Sequence, residues 1–185
     1  MTAVLEQTDT ILHELDLQGR FRKIEVIGGN IIMSPLRAMH GGTIFALQTQ
    51  LAAQLPDEYW FAYDVLTPLV PKVHEYCPDL AVIPRSEYER NISVSRPEWV
   101  EFVFEVVSPT TRDFDYGIKV EVYARAEIAE YVIFDPYTRM ATRYAQLKDG
   151  EYRLRQVVHY GEPVEMELPY PIVIETADLP VDPKD

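Results

Sequence analysis

The sequence is poor in cysteine, in long apolar runs and in net positive charge, and each deficit excludes a class of protein. Its 185 residues contain one cysteine, Cys77, so no internal disulfide can form, which is typical of a reducing compartment. No segment offers the roughly 18 consecutive apolar residues that a membrane span needs. The N-terminal stretch is acidic and lacks a basic flank before an apolar run, which argues against a secretory signal. We therefore expect a cytoplasmic protein with no membrane contact.

The shortage of basic residues gives a formal net charge of −13, from 17 Lys and Arg against 30 Asp and Glu. Such a charge repels a polyanion at long range, so nucleic-acid binding by bulk attraction is not expected. The charge is uneven, because residues 85–155 carry only −2 whereas residues 1–84 carry −5 and residues 156–185 carry −6. We expect an anionic ligand to bind residues from the middle of the chain, whereas a divalent cation could bind wherever several carboxylates converge.

What the chain does contain is the composition of an ordinary globular protein, with 47% hydrophobic and 25% charged residues. A chain of this length can bury a core without disulfides or metals as staples. The sequence predicts an N-terminal arm or short helix over residues 1–18, a single domain over 19–178 and an acidic tail over 179–185.

The order of apolar patterns and turn residues predicts a mixed α/β sheet. Two β-rich runs flank Gly28–Asn30, which predicts a hairpin. Apolar residues recur at helical spacing from Ile44 to Leu55, and a second helix is predicted from Asp115 to Ala126. Asp149 and Gly150 supply the turn of a C-terminal β-hairpin. The remaining strands are predicted in "WFAYDVLTPLV", "PDLAVI", "EWVEFVFEVVS" and "EYVIFDP".

Two carboxylates on these predicted strands could form a metal site. Asp79 stands at the very start of the strand in "PDLAVI", and Glu105 lies late in an apolar strand, where a buried charge is costly unless it is paired or coordinates something. Together with the main-chain carbonyl of Val106, they are hard oxygen ligands of the kind that Mg²⁺ or Mn²⁺ accepts. Lys119, on the following helix, could polarise an attacking water and offset charge on a phosphate. The set predicts hydrolysis of a phosphodiester.

Each residue also has a simpler explanation. Asp79 could be a loop residue or a cap, since Pro-Asp is common at turns. Asp115 and Lys119 are spaced i, i+4 and could form a solvated ion pair on the helix. Glu105 could pair with one of the central arginines.

Other residues give weaker signals. His40, in "MHGG" at the start of the first helix, is a possible phosphate contact or else a partly exposed polar residue near a helix end. The other histidines, His13, His74 and His159, have no paired spacing for zinc. Cys77 has no obvious activating base, which argues against a catalytic thiol.

The ordered motifs "PDLAVI", "EFVFEVVSPTTRDFDYGIKVEVYARA" and "EYVIFDP" resemble the Uma-two family of endonuclease-like proteins, which is placed in the PD-(D/E)XK superfamily. The upstream "EVIGGNIIMSP" followed by His40 is similar to that family's opening hairpin and first helix. The resemblance covers about residues 20 to 175. It implies an α/β fold with a restriction-endonuclease-like mixed sheet flanked by helices, an N-terminal hairpin and a C-terminal β-hairpin.

The resemblance also implies roles for single residues. Asp79 matches the superfamily's motif aspartate, Glu105 matches the acid of the next strand, and Glu25 matches an acid of the opening hairpin that contacts metal or orients water in related nucleases. The superfamily's usual lysine, two residues after the strand acid, is replaced here by Val107. Lys119 matches a lysine that the family carries on the next helix. By the same resemblance, Asp115 would cap that helix.

The function implied is a Mg²⁺- or Mn²⁺-dependent endonuclease acting on DNA, with Asp79, Glu105, Lys119 and Glu25 at the site. A two-fold homodimer is expected, because two antiparallel DNA strands need two sites. The alternative is a non-catalytic domain that keeps the nuclease fold for dimerisation or partner docking. The strong negative charge favours this alternative, whereas the presence of Asp79, Glu105 and Lys119 favours the nuclease.

Overall fold

The computed structural model describes residues 23–34, 37–167 and 170–182, so the predicted N-terminal arm and His13 lie outside the described residues. The strands are β1 (Lys23–Ile27), β2 (Asn30–Ser34), β3 (Tyr59–Ala62), β4 (Thr67–Val70), β5 (His74–Tyr76), β6 (Leu80–Pro84), β7 (Phe102–Val106), β8 (Glu130–Asp135), β9 (Met140–Lys148), β10 (Glu151–His159), β11 (Val164–Met166) and β12 (Ile172–Ile174). The helices are α1 (Ala38–Ala52), α2 (Arg85–Glu89), α3 (Arg112–Asp115) and α4 (Ile118–Arg125).

A six-stranded sheet in the order β10-β9-β8-β7-β6-β3 forms the centre of the fold. Only β7 and β8 pair in parallel within it, and the chain returns between them through α3 and α4, as a parallel pair requires. The other neighbours in this sheet are antiparallel. The predicted mixed α/β sheet is therefore confirmed.

Both predicted hairpins are present. In the first, β1 pairs with β2 around Gly28 and Gly29, whose φ angles of 59° and 76° are the left-handed values that glycine adopts without strain. In the second, Lys148 pairs with Glu151 across Asp149 and Gly150, which both have positive φ, as in a type I′ turn. The first hairpin joins β5 and β4 in a separate four-stranded sheet, in the order β2-β1-β5-β4.

The single strand predicted in "WFAYDVLTPLV" is wrong. The segment forms β3 in the central sheet and β4 in the four-stranded sheet. Between them Asp64 has a φ of 49°, a left-handed conformation that ends the first strand and redirects the chain. The alternating apolar pattern does not reveal this change of sheet, since both halves carry it.

The helix predicted from Asp115 to Ala126 is present as α4, but it begins at Ile118 rather than at Asp115, which is the last residue of the preceding short helix α3. Gly117 separates them, and a Cβ atom there would lie 2.6 Å from the carbonyl oxygen of Asp113. Asp115 does not cap α4, whose first flanking residue is Gly117. Instead Asp115 ends α3 with a buried side chain.

The long strand predicted in "EWVEFVFEVVS" is shorter in the structure, because a 3₁₀ turn at Pro97–Trp99 precedes β7. All five residues of β7 are buried, so both of its faces are covered. On one face, α1 contributes Leu47 and Leu51 to the cluster that contains Phe104. On the other face, Val103 packs in the cluster to which α4 contributes Tyr123, and Glu105 shares this face by strand alternation.

The boundaries predicted for the three segments of the chain stay predictions. Leu179, at the start of the predicted acidic tail, is buried in the cluster on the α1 side of the sheet. None of the helices in the described part of the chain is long and apolar enough to cross a membrane.

Candidate functional site

Asp79 and Glu105 lie side by side where β6 begins and β7 ends, in the middle of the central sheet. Asp79 directly precedes β6, and Glu105 is the last residue but one of β7. The two strands are antiparallel and pair Leu80 with Phe104, so the start of one lies beside the end of the other. Both side chains are only 1% exposed, which makes any unpaired charge on them costly.

Asp79 is held by contacts to both of its oxygens. Its Oδ2 accepts a hydrogen bond of 2.7 Å from the main-chain N–H of Val106. Its Oδ1 lies 2.7 Å from Lys23 Nζ and 3.1 Å from His40 Nε2. Burial opposes the charged form of Asp79, but the ammonium of Lys23 and the imidazole of His40 lower its pKa below the usual range. Asp79 is therefore an ionised carboxylate with one oxygen facing cations.

Glu105 is also contacted at both oxygens, by two different lysines. Its Oε2 accepts from Lys23 Nζ at 2.9 Å, and its Oε1 accepts from Lys119 Nζ at 2.8 Å and from the Tyr123 hydroxyl at 3.1 Å. Burial raises the pKa of Glu105 to about 8, against the opposing effect of Lys119 and Lys23. The alternative that Glu105 pairs with a central arginine is wrong, since its two charged partners among the described residues are lysines.

Lys119 is fully buried and is surrounded by three carboxylates. Its Nζ lies 2.8 Å from Glu105, 3.0 Å from Asp115 and 3.2 Å from Glu25. Burial alone would lower the pKa of Lys119, but attraction to Asp115, Glu105 and Glu25 raises it well above its usual value. The i, i+4 pair with Asp115 exists, yet the alternative that it is merely a solvated ion pair is wrong, because both side chains are buried.

Glu25 reaches this group from the middle of β1, on the other sheet. Its Oε1 accepts a hydrogen bond of 3.1 Å from the main-chain N–H of Cys77, which ties the carboxylate to the segment that connects β5 to β6. Cys77 itself is buried, and burial together with the nearby Glu25 raises the pKa of its thiol to about 12. A thiol with that pKa stays protonated near neutral pH.

Lys23 is a site residue that the sequence reasoning missed. It is 5% exposed, and its Nζ lies between Asp79 Oδ1 and Glu105 Oε2. Burial would lower the pKa of Lys23, but attraction to Asp79, Glu105 and Glu25 raises it well above the usual value. The available signal was its position two residues before Glu25 on the same strand, because residues i and i+2 point to the same face.

Asp64 is a second residue that was missed. It follows β3 in its left-handed conformation, and its Oδ1 is a buried oxygen with no hydrogen-bond partner among the described residues. Burial raises the pKa of Asp64 to about 6, although Lys23 and His40 act to lower it. It is a further carboxylate whose charge interacts with Lys23, Asp79 and His40.

These contacts make a buried charge network with more carboxylates than cations. If every group were ionised, the network would carry two excess negative charges, and a protonated His40 would offset one of them. Burial raises the pKa of Glu105 and of Asp115, since water cannot offset the excess. The charged members are the carboxylates Glu25, Asp79, Glu105 and Asp115 and the ammonium groups of Lys23 and Lys119.

The donor chemistry of the network fits a hard divalent cation, because two carboxylates face one position and carboxyl groups outnumber ammonium groups in the network. That position is taken by the ammonium of Lys23. As the side chains stand, no three His, Cys, Asp or Glu side chains within residues 23–34, 37–167 and 170–182 converge to hold a metal ion. Binding of an ion by Asp79 and Glu105 would thus require Lys23 to move.

The structure brings together Asp79, Glu105, Lys119 and Glu25, and places His40 beside Asp79. Their catalytic and metal-binding roles stay predictions, as does the role of the Val106 carbonyl, whose residue contributes its N–H to Asp79.

Comparisons with known proteins agree with the fold and with the resemblance seen in the sequence. A model of the Uma2 family, described as "Putative restriction endonuclease", matches residues 10–181. Among solved structures, the chain is similar to "a putative nuclease belonging to DUF820" from Anabaena variabilis ATCC 29413, with a TM-score of 0.60 and 15% identity, over 77% of this chain and 80% of that chain. This likeness confirms the predicted nuclease-like fold. No curated protein matches the chain.

Proposed function

The chain belongs to the Uma2 family, and on that premise we propose that it is a divalent-metal-dependent endonuclease that hydrolyses phosphodiester bonds of DNA. The observation that carries the proposal is the convergence of Asp79 Oδ1 and Glu105 Oε2 on one cation position, 2.7 and 2.9 Å from the same ammonium nitrogen. Two carboxylates buried around one point, within a network that holds more carboxyl groups than ammonium groups, are arranged as ligands for a cation. If the arrangement served only to stabilise the fold, the desolvation of the buried charges would make it costly.

In the proposed function, Asp79 and Glu105 hold Mg²⁺ or Mn²⁺, with the main-chain carbonyl of Val106 as a further ligand. The ion supplies charge for the scissile phosphate and acidifies a bound water. The N–H of Val106 fixes the orientation of Asp79, so that Oδ1 faces the ion. Lys119 holds Glu105 in place and adds positive charge beside the site.

Two further residues flank this site. Glu25 contacts Lys119 from β1 and keeps its ammonium group between β1 and Glu105 of β7. His40 lies 3.1 Å from Asp79 Oδ1, and the carboxylate raises the pKa of the imidazole against the effect of burial. A protonated His40 at the start of α1 is suited to contact a phosphate oxygen.

A nuclease with a net charge of −13 must hold a polyanion by local positive charge. Exposed arginines lie in the middle of the chain, where the segment charge is nearest to neutral: the side chains of Arg90, Arg96, Arg112 and Arg125 are 45 to 73% exposed. We expect few phosphate contacts, and hence DNA binding that weakens as salt rises. Cleavage of both strands of a duplex would need a homodimer, with one site for each strand.

A second function is favoured by one observation, the closure of the carboxylate pair by Lys23. In this alternative, the chain is a non-catalytic dimeric domain that keeps the nuclease fold for binding a partner, and the charge network only holds the two sheets together. The negative net charge also favours it, because a binding domain need not approach DNA.

The deciding experiment is cleavage of supercoiled plasmid, single-stranded DNA and a branched duplex at low salt, with Mn²⁺, Mg²⁺ or EDTA. We expect nicking or linearisation that requires the metal and falls at least about 100-fold in Glu105→Gln, which keeps the size of the side chain. Glu121→Gln, on the exposed face of α4, is the matched control and should cleave like the wild type. Absence of cleavage of all three substrates by the wild type would favour the binding domain.

A further inference from the structure

Lys23 contacts the two proposed metal ligands from one point. Its ammonium is the only group in the described part of the chain that bridges Asp79 Oδ1 and Glu105 Oε2, at 2.7 and 2.9 Å. These are the oxygens left over after Val106 N–H takes Asp79 Oδ2 and Lys119 takes Glu105 Oε1. Each carboxylate thus has one oxygen fixed by the scaffold and one oxygen directed at Lys23.

We propose that Lys23 is a built-in competitor of the metal ion: its ammonium occupies the cation position between Asp79 and Glu105, and the ion binds by displacing it. The inference rests on the proposed metal dependence. It assigns a role to Lys23, which has no role in the proposed endonuclease function. It makes metal affinity, rather than the chemical step, the property that Lys23 controls.

The chemistry of lysine suits such a competitor. An ammonium group is a compact cation at the end of a flexible four-carbon stem, so it can leave by rotation of its own side chain. Lys119, by contrast, lies within α4 and is tied to three carboxylates. Of the two lysines that are buried within the described part of the chain, Lys23 has the fewer close partners there and contacts both oxygens that an ion would use.

Two effects follow from a cation that occupies the site. Without metal, Lys23 shields two buried carboxylates from each other and so stabilises the fold. When a metal ion binds, the ammonium of Lys23 must leave its two carboxylate partners. The free energy lost by breaking these two ion pairs weakens the apparent affinity for the metal. Removing the positive charge at position 23 should therefore destabilise the metal-free protein and tighten metal binding.

The first test compares Mn²⁺ affinities of the full chain by isothermal titration calorimetry. We expect Lys23→Met to bind at least tenfold tighter than the wild type, and Lys23→Arg to bind no tighter than it. Lys148→Met removes the same charge from an exposed position at the end of β9 and should match the wild type. Equal or weaker binding by Lys23→Met than by the wild type overturns the inference alone. Absence of Mn²⁺ binding in both proteins overturns the proposed metal dependence as well.

The second test uses only wild-type protein and so does not depend on the folding of a variant. Lysines are acetylated with and without a saturating concentration of Mg²⁺, and each site is quantified by mass spectrometry. We expect the labelling of Lys23, which is 5% exposed, to rise several-fold with Mg²⁺, whereas Lys119 stays protected as the internal control. Unchanged protection of Lys23 in metal-saturated protein contradicts displacement and identifies Lys23 as a permanent ion-pair partner.

Discussion

The main-chain N–H of Val106 donates a hydrogen bond of 2.7 Å to Asp79 Oδ2, which ties the start of β6 to the end of β7. The contact satisfies one oxygen of a buried carboxylate with a group that cannot move independently of the sheet. The other oxygen, Oδ1, is thereby directed at Lys23 and His40. The geometry at Asp79 is fixed before any ligand arrives, which is what a preorganised site requires.

The first prediction concerns the stability of this contact. Asp79→Ala leaves a buried N–H without an acceptor and removes one of the two carboxylates that pair with Lys23, so we expect a loss of about 3–5 kcal/mol in the free energy of unfolding. Urea denaturation of the metal-free protein measures it. Asp113→Ala, at an exposed position of α3, is the matched control and should change stability by less than about 0.5 kcal/mol. A similar small change in both variants would show that Asp79 is not held as described.

The second prediction separates the structural role of Lys119 from its catalytic role. Because its ammonium contacts three buried carboxylates, Lys119→Met should cost about 3–5 kcal/mol of stability. Loss of cleavage in this variant would therefore not by itself identify a catalytic group. We expect cleavage per folded molecule, measured at a temperature where circular dichroism shows a native fold, still to fall at least about tenfold. Wild-type cleavage by the folded fraction would assign Lys119 to the scaffold.

The elements with strong local signals could be predicted from the sequence, whereas their long-range placement could not. Glycine-rich and Asp-Gly turns predicted both hairpins, because turn residues act through their own backbone. The pattern in "WFAYDVLTPLV" was read as one strand, since alternation shows that a segment is a strand but not which sheet it joins. The start of the predicted helix after Gly117, rather than at Asp115, depends on the close approach of the Asp113 carbonyl, a contact that spacing does not encode.

The same limit explains the errors at the site. The i, i+4 spacing of Asp115 and Lys119 correctly indicated an ion pair, but its burial arises from Glu25 and Glu105, which lie 94 and 14 residues from Lys119 along the chain. Lys23 belongs to none of the predicted motifs, and only the packing of β1 against the central sheet brings it to Asp79, 56 residues away. Strand position indicated Asp79 and Glu105 as a possible pair, and the family resemblance added Glu25, because motif position carries long-range information that periodicity lacks.

The third prediction is a pH dependence due to Asp64. Its pKa is raised to about 6 in the fold, from an ordinary value near 4 in the unfolded chain, because its carboxyl is partly buried. Between these two values the folded state binds more protons than the unfolded state, so this group lowers stability as pH rises from about 4 to 6. Asp64→Asn removes that effect and tolerates the left-handed φ of 49°.

We therefore expect Asp64→Asn to be more stable than the wild type by about 1 kcal/mol at pH 8, a value reduced for solvent screening of a half-buried group, and equal to it near pH 4. Thermal unfolding across this pH range measures the difference. Asp57→Asn, at an exposed position, controls for the change of net charge. An advantage of Asp64→Asn that does not vary with pH would show that titration of Asp64 is not its cause.

The fourth prediction uses the buried pair of Arg143 and Glu130, which lies away from the site. Arg143 donates two hydrogen bonds, of 2.7 and 2.8 Å, to the Glu130 carboxylate. Glu130 begins β8 opposite Phe102, whereas Glu105 lies near the other end of β7. The pair is therefore a purely structural counterpart of the contacts at Asp79 and Glu105.

Arg143→Met alone should cost about 3–5 kcal/mol of stability, because it leaves a buried carboxylate unpaired, and adding Glu130→Leu should restore most of that loss. Urea denaturation of the single and double variants measures both effects. Mn²⁺ affinity, measured by calorimetry on the double variant, should equal that of the wild type. Altered affinity would mean that the metal site responds to the loss of a buried ion pair elsewhere in the sheet. Unchanged affinity, beside a tenfold effect at Lys23, would localise the control of metal binding to the ammonium between Asp79 and Glu105.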